Sequence, residues 1–365
     1  MRSYLSAPLR VDLNLTSRCH LRCKYCYASA GGIRNETELS ISDLEKFFIE
    51  LEEMGVFRIQ LAGGEPTMRK DFPDILSLLE KFKFSVSLNT TGLFLSKDIC
   101  KRIAKGNFEL VTVSLEGDTA ELHEKIKGGK SFPKAIDAIK ALKKENINTA
   151  IGITLNSFNI DSIFRIIDLV RTLGVDLVGI QVLCPVGRLS ENPDLVPGNK
   201  RYTEFVTHLI DYQTKNPFPK VNLNVTNEGA VCWEYYFPLQ QLGKIKQLKE
   251  IWEQNIKHDE KEISCVAGIS VCSVGADGEV YPCEMFISDI NMSAGNIRTK
   301  NFKKIWGKSE LFKKFRNLKK SNLTGPCSLC KYRWCGAGCR AAAYYMTGDL
   351  NGTDKHCYYA QSPKQ

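Results

Sequence analysis

No run of eighteen apolar residues occurs in the 365-residue chain, which excludes a helix long and apolar enough to cross a membrane. The first nine residues, Met1-Arg-Ser-Tyr-Leu-Ser-Ala-Pro-Leu9, contain no apolar stretch of the kind a secretory signal needs. Neither an internal repeat nor a low-complexity tract is evident. These absences lead us to expect a soluble cytoplasmic protein, from an anaerobic setting. Cysteine, by contrast, is plentiful at fourteen residues. That many thiols would permit a disulfide framework, but such frameworks suit short secreted chains rather than a long one with clustered cysteine spacings.

Cys19, Cys23 and Cys26 lie within eight residues, in Thr16-Ser-Arg-Cys-His-Leu-Arg-Cys-Lys-Tyr-Cys-Tyr27. Thiolates hold iron–sulfur clusters and four saturate a cubane, so three at this spacing leave one iron open to a small molecule. A zinc knuckle, which wants four ligands, and three ordinary buried cysteines are the competing readings of the spacing alone. The loop resembles that of the radical S-adenosylmethionine (radical SAM) enzymes, whose C-x3-C-aromatic-C pattern Cys19, Cys23, Tyr25 and Cys26 match position for position. The resemblance implies that the open iron takes the amino and carboxylate groups of S-adenosylmethionine. One electron then cleaves the sulfonium, and the resulting 5′-deoxyadenosyl radical abstracts hydrogen from the substrate.

Further segments match the same family. Arg58-Ile-Gln-Leu-Ala62 reads as a buried strand ending in Gly63-Gly64-Glu65-Pro66, where glycines let a backbone edge approach a ligand closely. In the family this turn binds the methionyl amino group. Phe84-Ser-Val-Ser-Leu88 precedes Asn89-Thr-Thr-Gly92, similar to the family's third-strand ending. Leu110-Val-Thr-Val-Ser114 reaches Glu116-Gly117, and the resemblance gives Ser114 a ribose contact; otherwise it is a strand-end hydroxyl bonded to backbone. A sixth strand, Val178-Gly-Ile-Gln-Val-Leu183, leads into Cys184-Pro-Val-Gly187 and resembles the family's adenine wall, which Val182 and Leu183 would form.

Amphipathic helical patterns separate these strands, at 41–54, 72–82, 97–104, 132–144, 160–173 and 202–212. In the first, Leu44, Phe47, Phe48 and Leu51 share a face and Ser40 or Ser42 can cap. Counted from Val11-Asp-Leu-Asn-Leu15, strands and helices alternate through six βα units. Such alternation implies α/β architecture with a parallel sheet, here a partial (β/α)6 TIM-type barrel with its functional residues at the C-terminal strand ends. We assign the barrel to residues 1–215, a linker to 216–260 and a cysteine-rich domain to 261–365.

That last region carries Cys265, Cys272, Cys283, Cys327, Cys330, Cys335, Cys339 and Cys357. With Gly278-Glu-Val-Tyr-Pro-Cys283 and the later C-x2-C-x4-C-x3-C run, it looks like the SPASM extension of many radical enzymes, although four residues stand between Cys330 and Cys335 where five are usual. By resemblance, Cys265, Cys272, Cys283 and Cys339 would hold a first auxiliary cluster and Cys327, Cys330, Cys335 and Cys357 a second. That makes three [4Fe-4S] clusters with the radical site; two zinc-ribbon-like sites are the alternative. Cys100 and Cys232 read as packing residues, whereas Cys184, at a strand end, could face the active site.

The formal charge is +9, and 300–320 is conspicuously basic. Its apolar residues Phe302, Ile305, Trp306, Leu311, Phe312 and Phe315 have the spacing of a buried helix face with solvated lysines opposite. Cluster charge would cancel roughly half of the surplus, so nucleic acid is not an expected partner.

SPASM enzymes resembling this chain modify peptides or proteins by crosslinking or by oxidising cysteine or serine. About ten residues precede the first strand, so we expect no fused peptide-recognition domain. A separate leader-binding protein or the SPASM surface would then hold a peptide substrate, and a reduced flavodoxin or ferredoxin-like protein would donate electrons. Radical modification of a haem-pathway tetrapyrrole is the second reading, with Arg188 and Arg340 as candidate carboxylate partners. Glu284, next to Cys283, is the candidate catalytic base, against the alternative of an ordinary polar residue near a metal site. A non-catalytic electron-transfer protein is the third reading, and it gains nothing from an open iron.

Overall fold

The computed structural model describes residues 4–31, 37–175, 177–224, 239–240, 242–244, 246–247, 263–331, 336–355, 357 and 360. Seven strands, β1 (Arg10–Asn14), β2 (Arg58–Ala62), β3 (Ser85–Thr90), β4 (Phe108–Ser114), β5 (Thr149–Leu155), β6 (Leu177–Val182) and β7 (Lys220–Asn224), lie side by side in chain order, every neighbouring pair parallel. Helices α1 (Ile41–Glu53), α2 (Phe72–Leu79), α3 (Lys97–Lys105), α4 (Ala120–Lys127), α5 (Phe132–Lys144), α6 (Ile163–Thr172) and α7 (Asn199–Lys215) fill the crossovers. Local chemistry accounts for them. Ser40 and Asp43 form a reciprocal capping box at the start of α1, and the face formed by Leu44, Phe47, Phe48 and Leu51 is buried.

The six expected βα units are present, and the sheet continues beyond them on both sides. β7 lies in the stretch read from sequence as linker. β8 (Val271–Val274), from the cysteine-rich region, pairs in parallel with β1, with Val11 opposite Cys272 and Asp12 opposite Ser273. Beyond it β9 (Glu279–Tyr281) and β10 (Gly295–Asn296) add an antiparallel edge. Among the described residues β7 and β8 do not pair, so the barrel is open between them.

The C-terminal helices Phe302–Lys308 and Glu310–Arg316 pack on the barrel's own core. Phe302, Ile305, Trp306 and Phe312 are buried in one cluster with Val11, Phe47 and Phe48. The Phe47 and Phe302 rings meet edge to face with centroids 5.2 Å apart, and Trp306 Nε1 donates to Leu5 O at 2.9 Å. The apolar face is therefore buried as the spacing predicts, but the basic face is not solvated throughout. Arg316 is fully buried: its Nε donates to Gly268 O at 2.7 Å, and its guanidinium lies 3.7 Å from the Tyr4 ring centroid. Arginine's stem and planar head suit such a site.

Because this ring is shared by barrel and C-terminal region, Phe302→Ala is expected to cost about 3–5 kcal/mol and to shift a single unfolding transition of the whole chain. A separate early transition confined to the C-terminal residues would contradict a shared core.

Candidate active site

The cysteine loop follows β1 at the C-terminal edge of the sheet and is clamped through its backbone from three sides. After β2, the amides of Gly64 and Glu65 donate to Thr16 O at 2.7 Å and Arg18 O at 2.8 Å. A Cβ on Gly64 would stand 2.1 Å from Arg18 O, so the glycine is needed for this contact. From the end of α4, Lys127 O accepts Arg22 N at 3.1 Å. After β6, Gly187, at φ +59° and with no room for a Cβ beside Cys26 O, lets Arg188 N donate to Cys26 O at 3.1 Å. The Arg188 guanidinium donates to Cys23 O and Ala30 O, each at 2.8 Å. None of the three loop thiols is in a disulfide. Burial pushes Cys19 up to about 11 and raises Cys23, with Cys23 and Cys26 respectively adding to the shift. Lys127, 3 % exposed, lies among Cys19, Cys23, Glu65 and Glu116; burial opposes its charge, but these neighbours outweigh burial and raise its pKa.

Of the residues expected at the cofactor site, Glu65 is fully buried and its carboxylate accepts five hydrogen bonds, from the Thr67 and Thr91 amides and the Thr67, Thr90 and Thr91 hydroxyls. It ties the end of β2 to the end of β3. Pro66 is buried and starts the short 3-10 turn Pro66–Met68. Tyr25 Oη donates to Glu116, whose other oxygen accepts Thr154 N at 2.9 Å. Burial raises the pKa of both Tyr25 and Glu116. Glu116 N donates to His123 Nδ1 at 3.1 Å, leaving Nε2 to donate to Ser131 Oγ at 2.9 Å. Burial drives His123 down to about 3. Leu183 is buried and packs in one small apolar cluster with Tyr25, while Val182, at the end of β6, packs against the main core. Ser114 ends β4 half-buried, and its hydroxyl takes no protein hydrogen bond among the described residues. A small cleft opens beside Gly63 and Gly64, lined also by Asn14, whose buried carboxamide oxygen has no partner among the described residues.

In the C-terminal region, Cys265, Cys283 and Cys339 share one apolar cluster with Cys19 and Cys26. Cys184 joins them, its thiol hydrogen-bonded to Cys339. Cys272 does not: it is fully buried in the other cluster, between sheet and helices. Cys327 lies at the margin of the first cluster, whereas Cys330 and Cys357 are described but appear in neither; Cys335 and Cys232 lie outside the described residues. Cys100 is buried in α3. Among the described residues no three His, Cys, Asp or Glu converge tightly enough for a single metal ion, whereas cluster thiolates reach different corners and stand further apart.

The Radical SAM superfamily pattern matches residues 13–181, and the SPASM pattern, an iron-sulfur cluster-binding domain, matches 265–331. The chain belongs to the radical SAM superfamily and carries a SPASM domain. It is similar to an AdoMet-dependent heme synthase of Methanosarcina barkeri, 28 % identical over the whole of both chains. It is also 29 % identical to the mycofactocin maturase MftC of Mycolicibacterium smegmatis, over 97 % of this chain and 83 % of that one. Among solved structures, SuiB of Streptococcus suis bound to the precursor peptide SuiA superposes with a TM-score of 0.73 at 17 % identity, over 97 % of this chain and 77 % of that one. AdoMet-bound anSMEcpe gives 0.72 at 20 %, over 96 % and 95 %. These two likenesses concern the fold.

With the radical SAM assignment made, the chemistry present suits the groups it implies: three thiols outside any disulfide on one clamped loop, a buried lysine that favours their anionic form, and, among the described residues, a strand-end hydroxyl and the Asn14 carboxamide oxygen without a hydrogen-bond partner. Glu284 accepts a hydrogen bond from Tyr27, the residue after Cys26. Burial, then the neighbouring Asp12, push its carboxyl up to about 7. The two arginines expected as substrate-carboxylate partners both donate to backbone carbonyls. Arg188 serves the cysteine loop, and Arg340, fully buried, donates to Leu350 O, Gly352 O and Ala337 O. Sequence reasoning missed Lys127 and the carboxylate role of Glu116. The Glu116 position after a buried strand was the available signal, but Lys127 sits on a short helix that the periodicity did not single out.

Two outcomes follow. Glu65→Ala would strand three hydroxyls and two amides in the interior and is expected to cost at least about 3 kcal/mol, read by chemical denaturation; a loss below about 1 kcal/mol would deny it the tying role. His123 is neutral in the fold and protonates more readily once unfolded, so it makes stability fall as pH drops below about 6.5 toward 3. Between pH 7.5 and 5.5 this single group should remove about 1 kcal/mol, and His123→Gln should flatten that part of the profile; an unchanged slope would refute it.

Proposed function

We propose that this radical SAM enzyme abstracts hydrogen from a side chain of a peptide or protein and completes an oxidation or crosslink there. One observation carries the reading: Tyr27, next to Cys26 of the first cysteine group, donates its hydroxyl to Glu284, next to Cys283 of the second, so a base is held between the two groups. Cys19, Cys23 and Cys26 would hold the catalytic [4Fe-4S] cluster. Gly63, Gly64, Ser114, Tyr25 and Leu183, with Pro66 and Glu65 shaping the turn, would receive S-adenosylmethionine. When bound, these groups supply reductive cleavage of the sulfonium and a 5′-deoxyadenosyl radical. The chain's own part is to fix the loop through Gly64, Lys127 and Arg188, to keep positive charge beside the thiols through Lys127, and to accept through Glu284 the proton that the oxidised side chain releases.

The C-terminal cysteines, including Cys327, Cys330, Cys335 and Cys357 for a second auxiliary cluster, would carry the substrate electron outward. A reduced flavodoxin or ferredoxin-like protein would supply the first electron, in the cytoplasm, and a leader-binding protein or the SPASM surface would hold the peptide. A tetrapyrrole substrate is the second reading, favoured by the full-length likeness to a heme synthase. Against it, both candidate arginines are committed to backbone carbonyls.

Anaerobic incubation with dithionite and S-adenosylmethionine should yield 5′-deoxyadenosine, lost in Cys26→Ala. With a responsive peptide, Glu284→Gln should keep 5′-deoxyadenosine formation and lose modified product. Stimulation by iron coproporphyrin and by no peptide would move the chain to the tetrapyrrole reading, and no cleavage at all would end both.

A further inference from the structure

We propose that Cys184, in the loop after β6, and not Cys272, is the fourth thiolate of the first auxiliary iron–sulfur site, completing a set with Cys265, Cys283 and Cys339. The inference rests on the reading above that the SPASM cysteines hold iron–sulfur clusters. It concerns which of this chain's thiols do so.

The geometry separates the two candidates. In β8 side chains alternate between faces. Cys272 stands opposite Val11 in the parallel ladder, so both point to the helix-covered side, where Val11, Phe312 and Cys272 are buried together. The charged groups that act on Cys272 are Asp12 and Arg316, and no other cysteine is among them. To meet Cys339 its side chain would have to leave the buried face of a central strand, which a packed core opposes.

Cys184 follows β6 at the C-terminal edge, where functional residues of such barrels gather. Its carbonyl accepts Val186 N at 2.7 Å, turning the chain back toward the cysteine loop. Cys184 and Cys339 hydrogen-bond through their thiols, and Cys283 is close enough to act on Cys184. Cys283 in turn is next to Cys265 and Cys339. All four belong to one apolar cluster with Ala28, Val186, Ile263 and Ala337. Cys339 also caps the helix Arg340–Thr347, its sulfur accepting Ala342 N at 3.5 Å, a site that favours thiolate. Neighbouring thiols, partly or fully buried in one apolar cluster and in no disulfide, are what a cluster with thiolate ligands requires.

Ligation by Cys184 has a structural consequence. The β6 loop would join the auxiliary site at Cys184 to the catalytic loop at Gly187 and Arg188, so one five-residue segment would hold both.

The test uses the full chain carrying Cys19/Cys23/Cys26→Ala, reconstituted anaerobically, so that only auxiliary clusters remain. This parent should hold about eight irons in two cubanes; tightly bound zinc without iron would overturn the cluster reading and this assignment together, and is seen before any further variant is made. Added to the parent, Cys272→Ala should leave the iron count and the reduced-state EPR spectrum unchanged. Cys184→Ala should shift one of the two EPR signals, and added 15N-imidazole should couple to that signal in pulsed EPR by occupying the vacated iron. Cys184→Ser, which keeps the size and replaces the sulfur ligand with an oxygen one, should shift the same signal and serves if the alanine variant does not fold. Unchanged spectra in the Cys184 variants, or loss of about four irons or imidazole coupling in Cys272→Ala, would overturn the proposal while leaving the cluster reading standing.

Discussion

The backbone of one loop organises this molecule. Residues 16–31 have little regular hydrogen bonding of their own, so their carbonyls must be satisfied from outside. Three separate elements do this: the glycine turn after β2, the end of α4, and Gly187 with Arg188 after β6. Each contact is made at the C-terminal edge of the parallel sheet. A parallel sheet brings that edge together because every crossover returns the chain to the same side. The position of three thiols thus depends on strands far apart in sequence.

Three carboxylates near this edge show how environment divides labour among chemically equal groups. Glu65 accepts five protein hydrogen bonds and has no capacity left for a ligand, so it acts as a structural tie. Glu116 is shared between the Tyr25 hydroxyl and a strand amide and fixes the aromatic residue within the cysteine motif. Glu284 has Tyr27 as a donor, with Asp12 nearby, and burial raises its proton affinity. The number of donors each receives, rather than residue type, separates them.

The C-terminal region is not a bead on a linker. β8 enters the main sheet beside β1, and Phe302, Trp306 and Phe312 bury into the barrel's core. This arrangement sets Cys283 and Cys339 in the same apolar cluster as Cys19 and Cys26.

The sequence by itself determined the alternation of strands and helices, the buried faces of α1 and of the C-terminal helices, and the two cysteine groups with their family likeness. These are local patterns: periodicity, caps, glycine turns and short motif spacings. Only the tertiary structure decided that Arg188 and Arg340 serve backbone carbonyls, that Arg316 is buried against aromatic rings, and that Lys127 stands among the thiols. It likewise separated Cys272 from its expected partners and brought Cys184 to them. Spacing along the chain could not reveal this, because the face a strand cysteine takes depends on the register of β8 against β1, and the reach of Cys184 depends on a loop folding across the sheet edge.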